Sequence, residues 1–136
     1  MNKDIIRIAH ERGNFSTIYS QTKDTVAIKQ VSTAMTYPGV IKAFHCHKQQ
    51  TDIWYVLQGN IKVVIYNEKT KSFNVFFIGE DSNNQTITIQ PGLWHGYQVL
   101  GNEPAFMLYL LSSEYNPKDE FREDYNKFYN WEVVNK

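Results

Sequence analysis

The sequence of 136 residues has one cysteine, and none of its apolar runs approaches the length of a membrane span. The single thiol, Cys46, cannot close a disulfide within the chain, which excludes the disulfide-stabilised class of small secreted domains. Charged residues interrupt the first seven positions, so no signal-peptide core is expected there. These absences favour a reducing compartment, and we expect a cytoplasmic protein with no membrane partner.

An excess of charge of either sign is also missing, because 14 Lys and Arg residues balance 14 Asp and Glu residues. This balance excludes the general electrostatic footprint of a nucleic-acid-binding protein. Apolar residues make up 42% of the chain and aromatic residues 15%, which is enough for a hydrophobic core. The length is typical of one domain, so we expect residues 1–136 to form a single domain.

Long helical patterns are absent, and from residue 25 onward short runs rich in Val, Ile, Thr and aromatic residues alternate with turn residues. Eight of these runs are expected to be strands: Thr25–Val31, Val40–His47, Ile53–Leu57, Ile61–Tyr66, Phe73–Ile78, Thr86–Ile89, Gly96–Leu100 and Ala105–Leu111. Eight closely spaced strands predict an all-β antiparallel sandwich or barrel. The aromatic and charged tail, residues 114–136, is expected to cap one end of the barrel and to contain a short helix.

Three of the four histidines lie in or beside predicted strands. His45 and His47 project from the same face of their strand because side chains alternate, while Cys46 projects from the opposite face. His95 follows the turn at Pro91-Gly92 and begins another strand. A lone histidine on a strand is usually a partly buried residue satisfied by hydrogen bonds, but a group of three is a candidate functional cluster.

The spacing of these residues resembles the two sequence motifs of the cupin superfamily. Five residues fit the first motif, with five, one, four and six residues between them: Gly39, His45, His47, Asp52 and Gly59. Pro91-Gly92-x-x-His95 resembles the core of the second motif. Asp52 replaces the usual glutamate, and Val99 stands where asparagine often ends the second motif. The resemblance implies a cupin double-stranded β-helix, a jelly-roll barrel with a short C-terminal helical or extended tail.

Within the cupins, the chain is similar to the dTDP-4-dehydrorhamnose 3,5-epimerase family over about residues 11–131. Glu11-Arg12-Gly13-Asn14-Phe15 resembles that family's opening motif, and residues 39–45 resemble its Gly-Val-x-Arg-Gly-Leu-His strand. Residues 91–100 resemble its Pro-Gly-x-x-His-Gly-Phe-x-Val-Leu segment, with Tyr97 in the position of the phenylalanine. The resemblance therefore implies an isomerase that acts on a nucleotide-linked 4-keto-6-deoxy sugar.

The reaction implied by this resemblance needs no cofactor. A base removes a proton from a carbon next to the ketone, and the resulting enolate is reprotonated from the other face. By position, His45 is the implied base, Asp124 the carboxylate that orients its ring, and Tyr109 the acid. Arg12 and Gln30 are implied to hold the nucleotide diphosphate, since an arginine fork can bind two phosphate oxygens. The remaining implied substrate contacts are Lys42, His47, Asp52, His95 and Tyr115.

Three of the implied substrate contacts depart from the epimerase pattern. Lys42 replaces an arginine, His47 replaces a glutamine, and Asp52 replaces the lysine that would steady the enolate. A carboxylate beside an enolate repels it, so either Asp52 points elsewhere or Lys42 or a protonated His47 supplies the positive charge. His45-x-His47-Lys48 and residues 121–128 also resemble the 3,4-ketoisomerases of dTDP-4-keto-6-deoxyglucose, which move the carbonyl through an enediol. The sequence does not separate the two outcomes, because both begin with the same proton abstraction.

Two alternatives of other classes stay open at this point. Histidine and carboxylate ligands suit several divalent metals, so a metal-dependent cupin is possible with the ligand set His45, His47, Asp52 and His95. Loss of the enolate lysine also suggests a non-catalytic, sugar-binding cupin. The aromatic pairs Trp54-Tyr55 and Phe76-Phe77 cannot all face one interior, so with either function we expect a homodimer.

Overall fold

The computed structural model describes residues 6–23 and 25–133, with side chains from residue 11 onward. The secondary structure of these residues consists of eleven strands and one short 3-10 helix, Pro117–Asp119. The strands are β1 (Ile6–His10), β2 (Gly13–Thr17), β3 (Gln30–Thr36), β4 (Ile41–Cys46), β5 (Asp52–Gln58), β6 (Asn60–Asn67), β7 (Ser72–Gly79), β8 (Thr86–Ile89), β9 (Trp94–Leu100), β10 (Ala105–Leu111) and β11 (Phe121–Arg122). In the described part of the chain, no helix is long and apolar enough to cross a membrane.

Two antiparallel sheets face each other and enclose the main core. One has the strand order β3-β10-β5-β8 and the other the order β11-β4-β9-β6-β7, while β1 and β2 pair with each other. The inward residues of both sheets are buried together, among them Trp54, Val56, Ile61, Val63 and Met107. The all-β antiparallel architecture predicted from the strand rhythm is therefore confirmed.

The bounds of β8 and β10 agree with the predicted strands, but the first predicted strand, Thr25–Val31, is wrong. The strand at this place is β3, which pairs along its whole length with β10, from Gln30 opposite Leu111 to Thr36 opposite Ala105. Pairing with a central strand outweighs the low β propensity of Ala34. The hairpin of β1 and β2 and the short strand β11 also lie outside the predicted strands.

The tail packs on the outer face of the five-stranded sheet, which differs from the predicted cap at an end of the barrel. Phe44 of β4 points away from the main core and is fully buried against Trp131 and Phe128, at ring-centroid distances of 5.7 Å and 5.3 Å. Val64 of β6 is buried in the same cluster. The tail thus covers an apolar surface that a β-barrel would otherwise expose to water.

A bulge in β4 determines which of its side chains face the interior. Lys42 pairs with Tyr97 and His45 pairs with His95, so β4 has one more residue than β9 between these two pairs. The extra residue places Lys42 and His45 on the same side of the sheet, where strict alternation would separate them. A Cβ atom on Gly96 would lie 2.2 Å from Cβ of Ala43, so the bulge requires glycine at this place.

Candidate active site

A cavity of about 280 Å³ opens between the two main sheets. The five-stranded sheet and the turn after β4 contribute four polar side chains to its wall: Lys42, His45, His47 and His95. Asp52, Trp54 and Tyr109 approach from the four-stranded sheet, and Tyr115 and Glu120 approach from the tail. Seven of the ten residues expected at the site line this one cavity: Lys42, His45, His47, Asp52, His95, Tyr109 and Tyr115.

His45 has a carboxylate partner from the tail. Its Nδ1 atom lies 3.7 Å from Oε1 of Glu120. Burial lowers the pKa of His45, and the nearby charge of Glu120 partly opposes this change. The imidazole is therefore mainly neutral at neutral pH, as a base must be.

Glu120 is held in its ionised form at this place. Burial alone would raise the pKa of Glu120, but hydrogen bonds from Arg122 at 3.0 Å and from the Tyr115 hydroxyl at 3.1 Å bring it below its ordinary value. The carboxylate can therefore orient the His45 ring and stabilise the imidazolium that forms when His45 takes a proton.

Asp124, the carboxylate expected beside His45, does not line this cavity. Arg122 of β11 pairs with His45 of β4, which brings Glu120 to the ring, and the chain then continues along the outer face of the sheet. Asp124 is exposed, and its carboxylate accepts a hydrogen bond from the backbone N–H of Asn126 at 3.1 Å. The structure therefore assigns the position beside His45 to Glu120 and gives Asp124 a place in a surface turn.

His47 is fixed by the residue that precedes Glu120. Its Nδ1 atom donates to the backbone carbonyl of Asp119 at 2.8 Å, so Nε2 carries the lone pair in the neutral ring. The Asp119 carboxylate accepts hydrogen bonds from three successive backbone N–H groups, those of residues 48, 49 and 50. Burial opposes ionisation, but these bonds lower the pKa of Asp119 overall. Asp119 therefore anchors the turn that follows β4.

His95 and Asp52 lie at the bottom of the cavity. Nδ1 of His95 donates to the carbonyl of Leu93 at 3.0 Å, and burial lowers the pKa of His95, so the ring is neutral. The Nε2 atoms of His95 and His47 each lie 4.0 Å from Oδ2 of Asp52. Asp52 lines the cavity and does not point away from it. Its carboxylate accepts hydrogen bonds from Gln50 Nε2 at 2.6 Å and from Trp54 Nε1 at 3.2 Å.

Three of the four proposed metal ligands form a compact group. One ligand atom each of His47, Asp52 and His95 lies within 4.8 Å of the other two, and His45 is not part of this group. Two imidazoles and a carboxylate suit a first-row divalent cation, and both rings are oriented by Nδ1–H bonds to backbone carbonyls, as in metal sites. Metal bonds of about 2.1 Å would bring the ligand atoms about 3.0–3.4 Å apart, so the group would have to contract around an ion.

Tyr109 faces the cavity from the sheet opposite His45. Its hydroxyl lies 2.8 Å from the Tyr97 hydroxyl, and its ring contacts Trp54 at a centroid distance of 5.6 Å. Burial raises the pKa of Tyr109 well above its ordinary value, and the neighbouring Tyr97 adds to the effect. The phenol is therefore protonated at neutral pH and can act as an acid.

The two residues expected to bind the diphosphate do not line the cavity. Oε1 of Gln30 accepts a hydrogen bond from the backbone N–H of Tyr115 at 2.8 Å, so Gln30 fixes the start of the tail. Arg12 lies in the exposed turn between β1 and β2. Binding of the diphosphate by Arg12 and Gln30 stays a prediction.

Sequence reasoning missed Glu120, Asp119 and Gln50 as residues that organise the site. The signal for Glu120 was present in the tail segment Tyr115-Asn116-Pro117-x-x-Glu120, in which Asp119 is an unspecified position. The signal for Gln50 was its spacing from Asp52, because residues two apart on an extended chain share a face.

Comparison with known proteins matches the chain to one family and to two relatives named for polysaccharide or glycan biosynthesis. The family model described as "FdtA: WxcM-like, C-terminal" matches residues 2–132. The spore coat polysaccharide biosynthesis protein SpsL of Bacillus subtilis strain 168 is 36% identical over 140 residues, which cover 95% of this chain and 92% of SpsL. The probable low-salt glycan biosynthesis epimerase Agl13 of Haloferax volcanii is 31% identical over 125 residues, which cover 86% of this chain and 80% of Agl13.

The fold is shared with solved structures of lower sequence identity. A crystal structure of a dTDP sugar isomerase from Desulfovibrio desulfuricans G20 superposes with a TM-score of 0.81 at 20% identity. The superposition covers 94% of this chain and 87% of that chain. The likeness confirms the expected jelly-roll barrel.

Proposed function

Because the chain belongs to the FdtA family (WxcM-like, C-terminal), we propose that it is a cofactor-independent epimerase of a nucleotide-linked 4-keto-6-deoxy hexose. The relatives support an enzyme of this class, since one is named a glycan biosynthesis epimerase and the other a polysaccharide biosynthesis protein. The nucleotide is expected to be dTDP, the nucleotide named in the structural neighbour.

One observation carries the proposal: His45 and Tyr109 line the same cavity from opposite sheets. A sugar ring bound between the sheets has a neutral imidazole on one side and a protonated phenol on the other. Inversion at a carbon next to a ketone needs a base on one face and an acid on the other. Glu120 stabilises the imidazolium formed after proton abstraction, as its position 3.7 Å from His45 allows.

The enolate formed by proton abstraction also needs positive charge or hydrogen-bond donors near its oxygen. Of the described residues that line the cavity, Lys42 is the one Lys or Arg side chain. The bulge in β4 turns it to the same side as His45. We therefore assign the stabilisation of the enolate oxygen to Lys42. The Asp52 carboxylate, which would repel the enolate, is held by its hydrogen bonds from Gln50 and Trp54.

A 3,4-ketoisomerase is the second candidate function, and the position of His47 favours it. His45 and His47 approach the cavity from the same side, and the Nε2 lone pair of His47 is turned toward Asp52 inside it. Two bases on one side could move protons between neighbouring positions of an enediol without inverting a carbon. This outcome would need no contribution from Tyr109.

Incubation with dTDP-4-keto-6-deoxyglucose in D₂O, followed by NMR, tests the proposal. An epimerase incorporates deuterium at C3, C5 or both and gives a 4-keto sugar with an inverted centre. A ketoisomerase gives a 3-keto sugar instead. A ketoisomerase product carries deuterium at C4, because C3 has become the carbonyl carbon. Absence of deuterium at C3, C4 and C5, in this sugar and in related keto sugars, would contradict both functions.

A metal-dependent enzyme is the third candidate, favoured by the compact group of His47, Asp52 and His95. A divalent ion held by these side chains would act as a Lewis acid on a carbonyl oxygen. Metal analysis of protein purified without a chelator tests this candidate. Close to one equivalent of metal, lost in His95→Ala, would support it, whereas a small fraction of one equivalent would exclude it.

We further propose that the enzyme acts in the cytoplasm as a homodimer, with a nucleotide sugar as its partner and without nucleic acid or membrane. The balanced charge supports the absence of a nucleic-acid partner. Exposed apolar side chains on the four-stranded sheet support the homodimer: Val31, Met35, Leu57 and Phe106.

A further inference from the structure

Three hydroxyl groups form a hydrogen-bonded chain that ends at the cavity. The hydroxyl of Tyr97 lies 2.9 Å from Oγ1 of Thr36 and 2.8 Å from the hydroxyl of Tyr109. Thr36 and Tyr97 are each 2% exposed. Both tyrosines line the cavity, and Tyr109 is the more exposed of the two. This series of hydrogen bonds thus connects β3, β9 and β10 and runs from the core to the cavity.

Burial sets the direction of this chain. A buried hydroxyl that lacks an acceptor for its hydrogen is costly, so each hydrogen is expected to find one. Within the described part of the protein, the hydroxyl of Tyr97 is the hydrogen-bond partner of Thr36 Oγ1. Thr36 must therefore donate to Tyr97, and Tyr97, which has one hydroxyl hydrogen, must donate to Tyr109.

The direction leaves the hydrogen of Tyr109 available to a substrate. The Tyr109 oxygen accepts from Tyr97, so its own O–H cannot be used in that bond. Its other neighbour is Sδ of Met107 at 3.9 Å, and a thioether is a weak acceptor. A bound substrate can therefore take this hydrogen without breaking a strong bond.

The hydroxyl of Tyr97 is a departure from the epimerase pattern, which has phenylalanine in Pro-Gly-x-x-His-Gly-Phe. Phenylalanine would fill the same place between Trp54 and the other core side chains, so packing does not explain the hydroxyl. Among the described residues, the partners of this hydroxyl are Thr36 and Tyr109. Its position therefore indicates a role exerted through Tyr109.

We propose that Thr36 and Tyr97 are positioning residues that set Tyr109 as the proton donor in the second half of the reaction; this inference rests on the proposed epimerase function. His45 takes the proton from carbon and becomes an imidazolium, and the substrate becomes an enolate. The enolate electron pair then forms a bond to the proton of Tyr109, which becomes a phenolate. Tyr97 donates to that phenolate. The imidazolium afterwards releases one proton to water and the phenolate takes one, which restores the enzyme.

The two halves of the reaction can be measured separately in D₂O with dTDP-4-keto-6-deoxyglucose. Exchange of the hydrogen next to the ketone reports proton abstraction by His45, and formation of the epimer reports reprotonation. In Tyr97→Phe we expect exchange within about threefold of wild type but epimer formation at least about tenfold slower. Thr36→Val is expected to have the same effect as Tyr97→Phe, with exchange nearly unchanged and epimer formation slowed. Thr36→Ser keeps the hydroxyl and is expected to restore epimer formation.

Thr86→Val is the matched control, because Thr86 is a buried threonine of the same four-stranded sheet as Thr36. Its hydroxyl donates to the Trp54 carbonyl and takes no part in the hydrogen bonds between Thr36, Tyr97 and Tyr109. We expect Thr86→Val to leave the ratio of exchange to epimer formation unchanged.

Epimer formation at the wild-type rate by Tyr97→Phe or Thr36→Val, or an equal loss of both rates, would overturn the inference and leave the proposed function intact. A wild-type enzyme that exchanges no hydrogen would overturn both. Thr36→Val keeps the shape of the side chain and serves as the second variant if Tyr97→Phe does not fold.

Discussion

Nδ1 of His45 lies 3.7 Å from Oε1 of Glu120, and this contact joins strand β4 to the C-terminal tail. The tail reaches His45 because β11 pairs with β4, with Arg122 opposite His45. Glu120 in turn binds Arg122 and Tyr115. The base of the proposed reaction is therefore oriented by a residue outside the barrel strands.

Replacing Glu120 tests which carboxylate supports His45. Glu120→Gln removes the charge that stabilises the imidazolium, so we expect proton abstraction to slow by about tenfold or more. Asp124→Asn is the matched control and is expected to stay within about twofold of wild type, since Asp124 lies in an exposed turn. Hydrogen exchange in D₂O measures both variants, and a larger loss in Asp124→Asn would contradict the assignment.

Strand alternation in the sequence was sufficient to predict that His45 and His47 face one side, and both line the cavity. The bounds of β8 and β10 were also predictable, because β-branched and aromatic runs end there at turn residues. The proximity of His95 to them followed from the motif resemblance, since a single sequence does not reveal that β4 and β9 are neighbours.

Two parts of the site could not be predicted from the sequence, for physical reasons. Simple alternation separates Lys42 from His45, and the bulge that reunites them depends on the close approach of Ala43 and Gly96 in another strand. The choice between Glu120 and Asp124 depends on the path of the tail, which the pairing of β11 with β4 determines. Both features arise from contacts between segments distant in the sequence.

The pH dependence of the reaction follows from the pKa of His45. His45 must be neutral to act as a base, and burial lowers its pKa from the ordinary value of 6.5. We therefore expect kcat/KM to stay constant as the pH falls through 6.5 and to decline only below it. A decline that begins above pH 6.5 would contradict His45 as the base in this environment.

Charge changes near His45 should move this decline in opposite directions. Glu120 raises the pKa of His45 and Arg122 lowers it. Glu120→Gln is therefore expected to shift the acidic limb of kcat/KM to lower pH, and Arg122→Gln to shift it to higher pH. The two pH profiles, recorded beside that of Asp124→Asn, provide the measurement, and shifts of the same sign in both variants would argue against electrostatic coupling to His45.

His45→Ala separates catalysis from binding. Loss of the base should lower turnover by about 10²–10⁴-fold, because a positioned general base contributes that much to the rate. Affinity for dTDP, measured by calorimetry, is expected to stay within about threefold, since the ring is assigned to the reacting carbon and not to the nucleotide. Full turnover by His45→Ala would contradict the mechanism, and an absence of turnover in the wild type would favour the sugar-binding alternative.

The contact of Gly96 with Ala43 should limit stability. A methyl group on Gly96 would meet Cβ of Ala43 at 2.2 Å and its Cα at 2.8 Å, so Gly96→Ala is expected to cost about 3 kcal/mol of unfolding free energy. Adding Ala43→Gly removes one of the clashing atoms, and the double variant should recover part of this loss. Urea denaturation measures the three variants, and an unaffected Gly96→Ala would show that the bulge does not need this close approach.

The exposed apolar side chains of the four-stranded sheet predict that two copies associate through this face. Met35 of β3 and Phe106 of β10 are ladder partners, and they are 47% and 39% exposed. A stable dimer covers about 800 Å² on each partner, which the apolar outer face of a sheet can supply. Light scattering should give twice the monomer mass at micromolar concentration, and Met35→Glu with Phe106→Glu should give the monomer. Phe77→Glu, on the outer face of the other sheet, is the control and should remain a dimer, whereas a monomeric wild type would show that this apolar face is not an interface.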